Sequence, residues 1–222
     1  MVMTLEFAVL FMAMLAVVQR RTGLVERALW WPLPRAAVGL WLSVAVVSAL
    51  QFIVIGWYDA LARDPDQILH HGQIWRLLTA MFVQDGWAAG TTLNLIVLAL
   101  AAVPAARYFG ALAMWLVFLG GGIGFNLLGA LFDSSGAGNS GATMGMVCAL
   151  VGHTAVASLV RRGSVAPPVI ALSILPLLVG AAAWAFFDYH GEAEVLGWLI
   201  GAALGALAPT RFPKARALTV RG

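Results

Sequence analysis

The chain has 222 residues, of which 62% are hydrophobic and only 10% are charged, with a formal net charge of +3. A soluble domain of this length cannot bury so much apolar surface and still present a charged exterior, so the composition excludes a soluble protein and indicates that lipid is the solvent. The positive charge does not indicate a nucleic-acid partner, because the basic residues lie at the ends of apolar segments.

Seven apolar segments are long enough to cross a bilayer, since a spanning helix needs roughly 17–25 mostly apolar residues. They are 3–18, 36–57, 88–106, 109–131, 141–160, 167–187 and 193–209. A cleaved signal peptide is the alternative for the first, but its basic residues, Arg20 and Arg21, follow the apolar stretch, whereas a signal peptide carries them in front. We therefore predict a retained helix and an all-α, multi-pass membrane bundle.

The basic residues predict the orientation of this bundle. With seven spans, all of them except Arg63 and Arg76 fall on one side, and Glu26 alone among the acidic residues shares that side. Because Lys and Arg are retained in the cytoplasm, the N-terminus is predicted outside and the C-terminus in the cytoplasm. The residues on the basic side are Arg20, Arg21, Arg27, Arg35, Arg107, Arg161, Arg162, Arg211, Lys214, Arg216 and Arg221.

The spans divide the chain into three predicted parts. These are an N-terminal helix with a cytoplasmic connector (1–35), a six-helix membrane domain (36–209) and a basic cytoplasmic tail (210–222). The long outer loop, 58–87, mixes charged and apolar residues, so we expect it to fold partly into the outer leaflet. Without an appended soluble domain in this sequence, a bacterial cell membrane is the predicted location.

Small residues surround Ser140, at the start of the fifth span, in the sequence Gly138-Asn139-Ser140-Gly141-Ala142-Thr143-Met144-Gly145. Gly141 and Gly145 form a face that lets helix backbones approach closely, and Gly197, Gly201 and Gly205 form a matching face on the seventh span. One interpretation is therefore structural: the two spans pack tightly, and Ser140 is a passive helix cap.

The second interpretation is a resemblance. Gly138, Ser140, Gly141 and Gly145 are similar to the GxSGxxxG signature of the rhomboid intramembrane serine proteases. Trp75-Arg76, within 72–82, resembles the Trp-Arg motif of their first outer loop. Asn94 stands where the second core helix has the asparagine of HxxxN, 118–128 resembles the third core helix, and the glycines of the seventh span match the sixth.

This resemblance implies a six-helix core with one extra N-terminal helix. It also implies hydrolysis of a peptide bond near the end of a substrate's transmembrane helix by a Ser–His dyad, without a metal or other cofactor. The serine attacks, a histidine on the sixth core helix takes its proton, and backbone N–H groups with the His and Asn of HxxxN stabilise the oxyanion. Such a base is required because a serine hydroxyl is a weak nucleophile alone.

Two positions depart from the family pattern. In the register that aligns all three glycines of the seventh span, the dyad histidine is replaced by Glu194; a shift of one turn puts His190 there instead, but leaves Gly205 unused. The histidine of HxxxN is replaced by Gly90. We prefer the register of Glu194, in which an uncharged carboxyl hydrogen-bonds to Ser140 or Asn94 as a structural clasp.

Gln84 is a further departure from the family pattern, and the other polar residues have simpler explanations. Gln84 falls where many relatives have a histidine after a Met-Phe pair. His70 and His71 lie in the outer loop, where solvation is a simpler role than metal binding, and His153 lies mid-span, well below the serine, where packing is expected. Trp75 and Arg76 are expected to anchor the loop at the membrane interface.

Three functions follow. The first is a rhomboid-like pseudoprotease that binds the transmembrane helices of client proteins. The second is an active serine endopeptidase that uses Ser140 with His190 or Glu194. The third, a transporter or channel, has the least support, because no pair of broken helices marks a pathway.

Overall fold

The computed structural model describes residues 2–22, 29–162, 167–185 and 190–207. The predicted all-α bundle is confirmed in these ranges. Its helices are α1 Val2–Thr22, α2 Arg35–Leu50, α3 Trp57–Leu61, α4 Pro65–Leu69, α5 Arg76–Thr79, α6 Trp87–Phe109, α7 Ala111–Leu131, α8 Ser140–Arg162, α9 Pro167–Ala185 and α10 His190–Leu207. The end of the bundle at which α8 and α10 begin is predicted to face outside and is called the outer end below.

Three of the described helices, α6, α7 and α8, are long and apolar enough to cross a membrane. The apolar part of α1, Leu10–Gln19, and the whole of α2 are shorter. The count of seven spans therefore stays a prediction, although each predicted span overlaps one helix, namely α1, α2, α6, α7, α8, α9 or α10.

The second predicted span, 36–57, is wrong at its end, because α2 stops at Leu50. The side chain of Gln51 instead exchanges hydrogen bonds with the backbone of Gln84: its Nε2 donates to the carbonyl oxygen over 3.1 Å, and its Oε1 accepts from the N–H over 2.9 Å. The chain then turns through 51–56, with Gly56 at a φ of +77°, a left-handed conformation that favours glycine.

The centre of the bundle is α8, which packs against α10, α7, α6, α1 and α9. The predicted contact between the fifth and seventh spans is confirmed. A Cβ atom added to Gly197 would lie 2.1 Å from the carbonyl oxygen of Gly145, and one added to Gly201 would lie 1.9 Å from that of Ala149. Because no side chain fits in this seam, the two backbones determine the position of α10 relative to the start of α8.

Arg76 holds the outer loop from inside. It is buried, and its guanidinium donates over 2.7 Å to the carbonyl oxygens of Asp59 and Ala62 and to the side-chain oxygen of Gln73. Trp75, in contrast, is 51% exposed. Only Trp75 has the outward position expected for both residues; Arg76 connects α3 and the turn after it to Gln73, in the loop between α4 and α5.

Arg76→Lys should therefore loosen the outer loop. Arg76 donates from two nitrogens, Nε to Gln73 and Nη1 to Asp59 and Ala62, and the single nitrogen of lysine cannot occupy both positions. A hydrogen bond to a charged donor contributes about 1.5–3 kcal/mol. We expect faster proteolysis within 58–87 and a lower melting temperature, measured on the purified protein. Arg35→Lys, at an exposed position, is the control and should change neither quantity.

Candidate active site

Ser140 is the first residue of α8, and the turn before it brings its neighbours together. Gly138 has a φ of +139°, and its N–H donates to the carbonyl oxygen of Ala80 over 2.9 Å. The residue that precedes the helix is Asn139. Its carbonyl oxygen accepts from the N–H of Thr143 over 2.8 Å, and its Oδ1 accepts from the hydroxyl of Thr143 over 3.2 Å. The expected helix cap is therefore Asn139 and not Ser140.

A buried side chain that the sequence marks only as a departure, Gln84, organises this region. Its Oε1 accepts from the backbone N–H of Asn139 over 3.2 Å and from Nδ2 of Asn94 over 2.8 Å. Its Nε2 donates to the hydroxyl of Ser48 over 3.2 Å. Because a backbone N–H can only donate, the bond from Asn139 identifies the Gln84 atom as oxygen, and this in turn orients Asn94.

The Ser140 hydroxyl borders this amide cluster of Gln84, Asn94 and Asn139. A Cβ atom added to Gly138 would lie 3.2 Å from Nδ2 of Asn94, 3.4 Å from Oε1 of Gln84 and 3.7 Å from Oγ of Ser140. The glycine thus leaves a small space in which the three groups converge. The two amide side chains at its edge carry no charge and cannot act as a base.

Glu194 is fully buried in the first turns of α10. Its Oε2 lies 3.3 Å from the position of a Cβ atom added to Gly180, so the carboxyl group lies against α9. The seam supports the register that predicts Glu194 at the dyad position, because Gly205 also contacts α8, at 2.8 Å from the carbonyl oxygen of His153 to an added Cβ atom. The side chain of His190, the alternative base, lies outside the described residues.

Gly90 is a glycine for a steric reason. A Cβ atom added there would lie only 2.1 Å from the carbonyl oxygen of Asp85. Since real Cβ atoms do not approach a backbone oxygen so closely, a histidine at this position requires the first turn of α6 to move. The backbone at Asp85 therefore leaves no room for the histidine of HxxxN.

The remaining histidines are accounted for by local contacts. His70 and His71 are exposed and pair with Asp66 at 3.1 and 3.4 Å. Within the described ranges, no group of three or more His, Cys, Asp or Glu residues is arranged to hold a metal ion. His153 is buried, and its Nδ1 lies 2.8 Å from the hydroxyl of Tyr108, in keeping with packing.

Comparison with known families agrees with this geometry. The rhomboid domain model matches residues 71–212, which include α5 to α10, Asn94, Ser140 and Glu194. The chain belongs to the rhomboid family. It is therefore an integral membrane protein with a rhomboid-type helical bundle, as the sequence motifs predict. A comparison with curated proteins found no match. The matched region begins after α2, so the predicted domain bounds, 36–209, stay a prediction.

Proposed function

We propose that this rhomboid-family protein binds transmembrane helices of client membrane proteins and does not cleave them. The observation that carries the proposal is the hydrogen bonding of Gln84, whose side-chain oxygen occupies N–H groups of Asn94 and Asn139. In the family, asparagine at the position of Asn94 helps to stabilise an oxyanion. Here the side-chain amide of Asn94 donates to Oε1 of Gln84 instead.

An oxyanion in this space would be destabilised. It needs hydrogen-bond donors already aimed at the developing charge, and the loss of one such donor reduces turnover by roughly 10²–10³. The Gln84 oxygen takes two donors and adds a partial negative charge of its own. The N–H of Asn139 and the Asn94 N–H that bonds to Gln84 could serve an oxyanion only after these two hydrogen bonds had broken.

The residues at the dyad position support the same function. An imidazole accepts a proton from serine at neutral pH and returns it, whereas Glu194 is a carboxyl group packed against Gly180. The glycine seam that holds α10 on α8 does not depend on the dyad, so the fold keeps its ability to present a helix-binding surface. We propose a bacterial cell membrane as the location, with the N-terminus outside.

An active protease is the alternative, and one observation favours it. Ser140 begins a helix next to a glycine turn, with its hydroxyl bordering a small space, as a nucleophile requires. Its base would be Glu194 or His190. The two functions share the client, a transmembrane helix, and differ only in whether the peptide bond breaks.

Three measurements on the purified protein separate these functions. We expect only slow covalent labelling of the wild-type protein by a serine-directed fluorophosphonate and no cleavage of a reporter transmembrane peptide. Photo-crosslinking should nevertheless show that the same peptide binds, both to the wild type and to Ser140→Ala. Cleavage that disappears in Ser140→Ala would refute the proposal and establish the protease.

A further inference from the structure

A cavity of about 300 Å³ lies at the outer end of the bundle, between α3 and the start of α6. It is large enough for one extended side chain and too small for a helix. Gln84 contributes to its wall, so the cavity adjoins the amide cluster beside Ser140. Its described lining consists of Gln51, Tyr58, Gln84, Asp85, Gly86 and Trp87.

Asp85 gives this cavity a negative charge. One carboxylate oxygen accepts from the hydroxyl of Tyr58 and the other from the N–H of Ala137, over 2.8 Å. Burial, and then the hydrogen bond and charge of Asp85, raise the pKa of Tyr58, so its hydroxyl stays a donor. In the described part of the chain, no cation lies within 4 Å of this carboxylate.

Arg63, which interacts electrostatically with Asp85, forms its hydrogen bonds with other residues. Arg63 feels the charge of Asp85, which opposes the lowering of its pKa by burial. Its guanidinium, however, donates to both oxygens of Ser134 and to the side-chain oxygen of Asn126, at 2.7–3.2 Å. Asp85 therefore retains the ability to pair with a cation that enters the cavity.

Trp87 lies at the rim of the cavity in a strained backbone conformation. Its φ is +54°, a left-handed conformation that bulky residues rarely adopt and that costs about 1 kcal/mol or more. The ring is 72% exposed and contacts Phe52 edge-on, with the ring centres 4.9 Å apart. A tryptophan face beside a carboxylate is a combination that binds cations, because both attract positive charge.

We propose that this cavity binds the ammonium or guanidinium group of a basic side chain next to the outer end of a client's transmembrane helix. The identity of the client rests on the proposed function. Basic residues are rare on the outer side of membrane helices, since most are retained in the cytoplasm, so an outer Lys or Arg distinguishes one helix from others. Its long stem reaches the cavity while the client helix remains in lipid.

The first test examines the cavity without a client. n-Butylammonium is titrated into the full-length protein in nanodiscs, and the indole N–H of Trp87 is followed by NMR after assignment with Trp87→Phe. We expect a saturable shift, no shift with uncharged n-butanol, and about tenfold weaker binding in Asp85→Asn. Asp133→Asn removes another exposed charge, from the loop between α7 and α8, and should bind like the wild type.

Trp87→Leu is a second variant that leaves the hydrogen bonds of Asp85 in place. It should weaken n-butylammonium binding severalfold, measured by isothermal titration. Absence of a saturable shift in the wild type, or equal binding by Asp85→Asn, would overturn the cation site.

The second test adds the client. Two transmembrane peptides that differ only in Lys or norleucine at the outer flank are photo-crosslinked to the protein. The wild type should prefer the Lys peptide about tenfold, and Asp85→Asn should lose this preference. Equal crosslinking of both peptides to the wild type would overturn the proposed recognition. Failure of both peptides to bind, with a normal n-butylammonium shift, would refute the proposed function and leave the cation site supported.

Discussion

Gly201→Ala should destabilise the bundle more than the same substitution at Gly205, the last glycine that α10 contributes to the seam. The added Cβ atom would lie 1.9 Å from the carbonyl oxygen of Ala149, whereas ordinary contacts begin near 3.4 Å. Neither partner is a flexible side chain, so α10 as a whole must move away from α8. We expect a loss at or above the upper end of the ~1–3 kcal/mol typical of overpacking, measured by unfolding in mixed micelles.

The matched control is Gly39→Ala, which makes the same substitution inside α2. A Cβ atom added there meets nothing within 4 Å. Alanine is the better helix former, so this variant should unfold at the same or higher denaturant, with a gain of up to about 1 kcal/mol. Equal stability of the two variants would show that the close approach of α10 and α8 does not hold the bundle together.

The glycine seam was predictable because its cause is local. Gly197, Gly201 and Gly205 recur every four residues, and this spacing places them on one helix face whatever the rest of the chain does. The lengths of α6, α7 and α8 were predictable for the same reason, since a run of apolar residues is itself the requirement for crossing a membrane.

The amide cluster was not predictable, because its contacts join distant parts of the chain. Gln84 meets Ser48, Asn94 and Asn139, and Gln51 ends α2 early by bonding to the same residue. From the sequence alone, Gln84 is only a missing histidine. Likewise, the sequence shows only that Gly90 lacks the histidine side chain. The structure shows that the carbonyl oxygen of Asp85 lies where a Cβ atom would need space.

Glu194→His should make Ser140 reactive. It adds an imidazole at the dyad position of the preferred register, and a general base contributes roughly 10²–10⁴ to rate. We expect labelling of Ser140 by a fluorophosphonate to rise by about 10², near the lower limit, because Gln84 still occupies the neighbouring donors. Labelling is measured by gel fluorescence against time, and Ser140→Ala in the same background identifies the labelled residue.

Glu194→Gln is the matched control, since it keeps the size of the side chain and supplies no base. It should label as slowly as the wild type. A second histidine at position 90 is left out, because its Cβ atom would collide with the carbonyl oxygen of Asp85 and disturb α6. Rapid labelling of the wild type would mean that Ser140 already has a base. A folded Glu194→His protein that does not label would place residue 194 out of reach of the hydroxyl and reject the register that puts Glu194 at the dyad position.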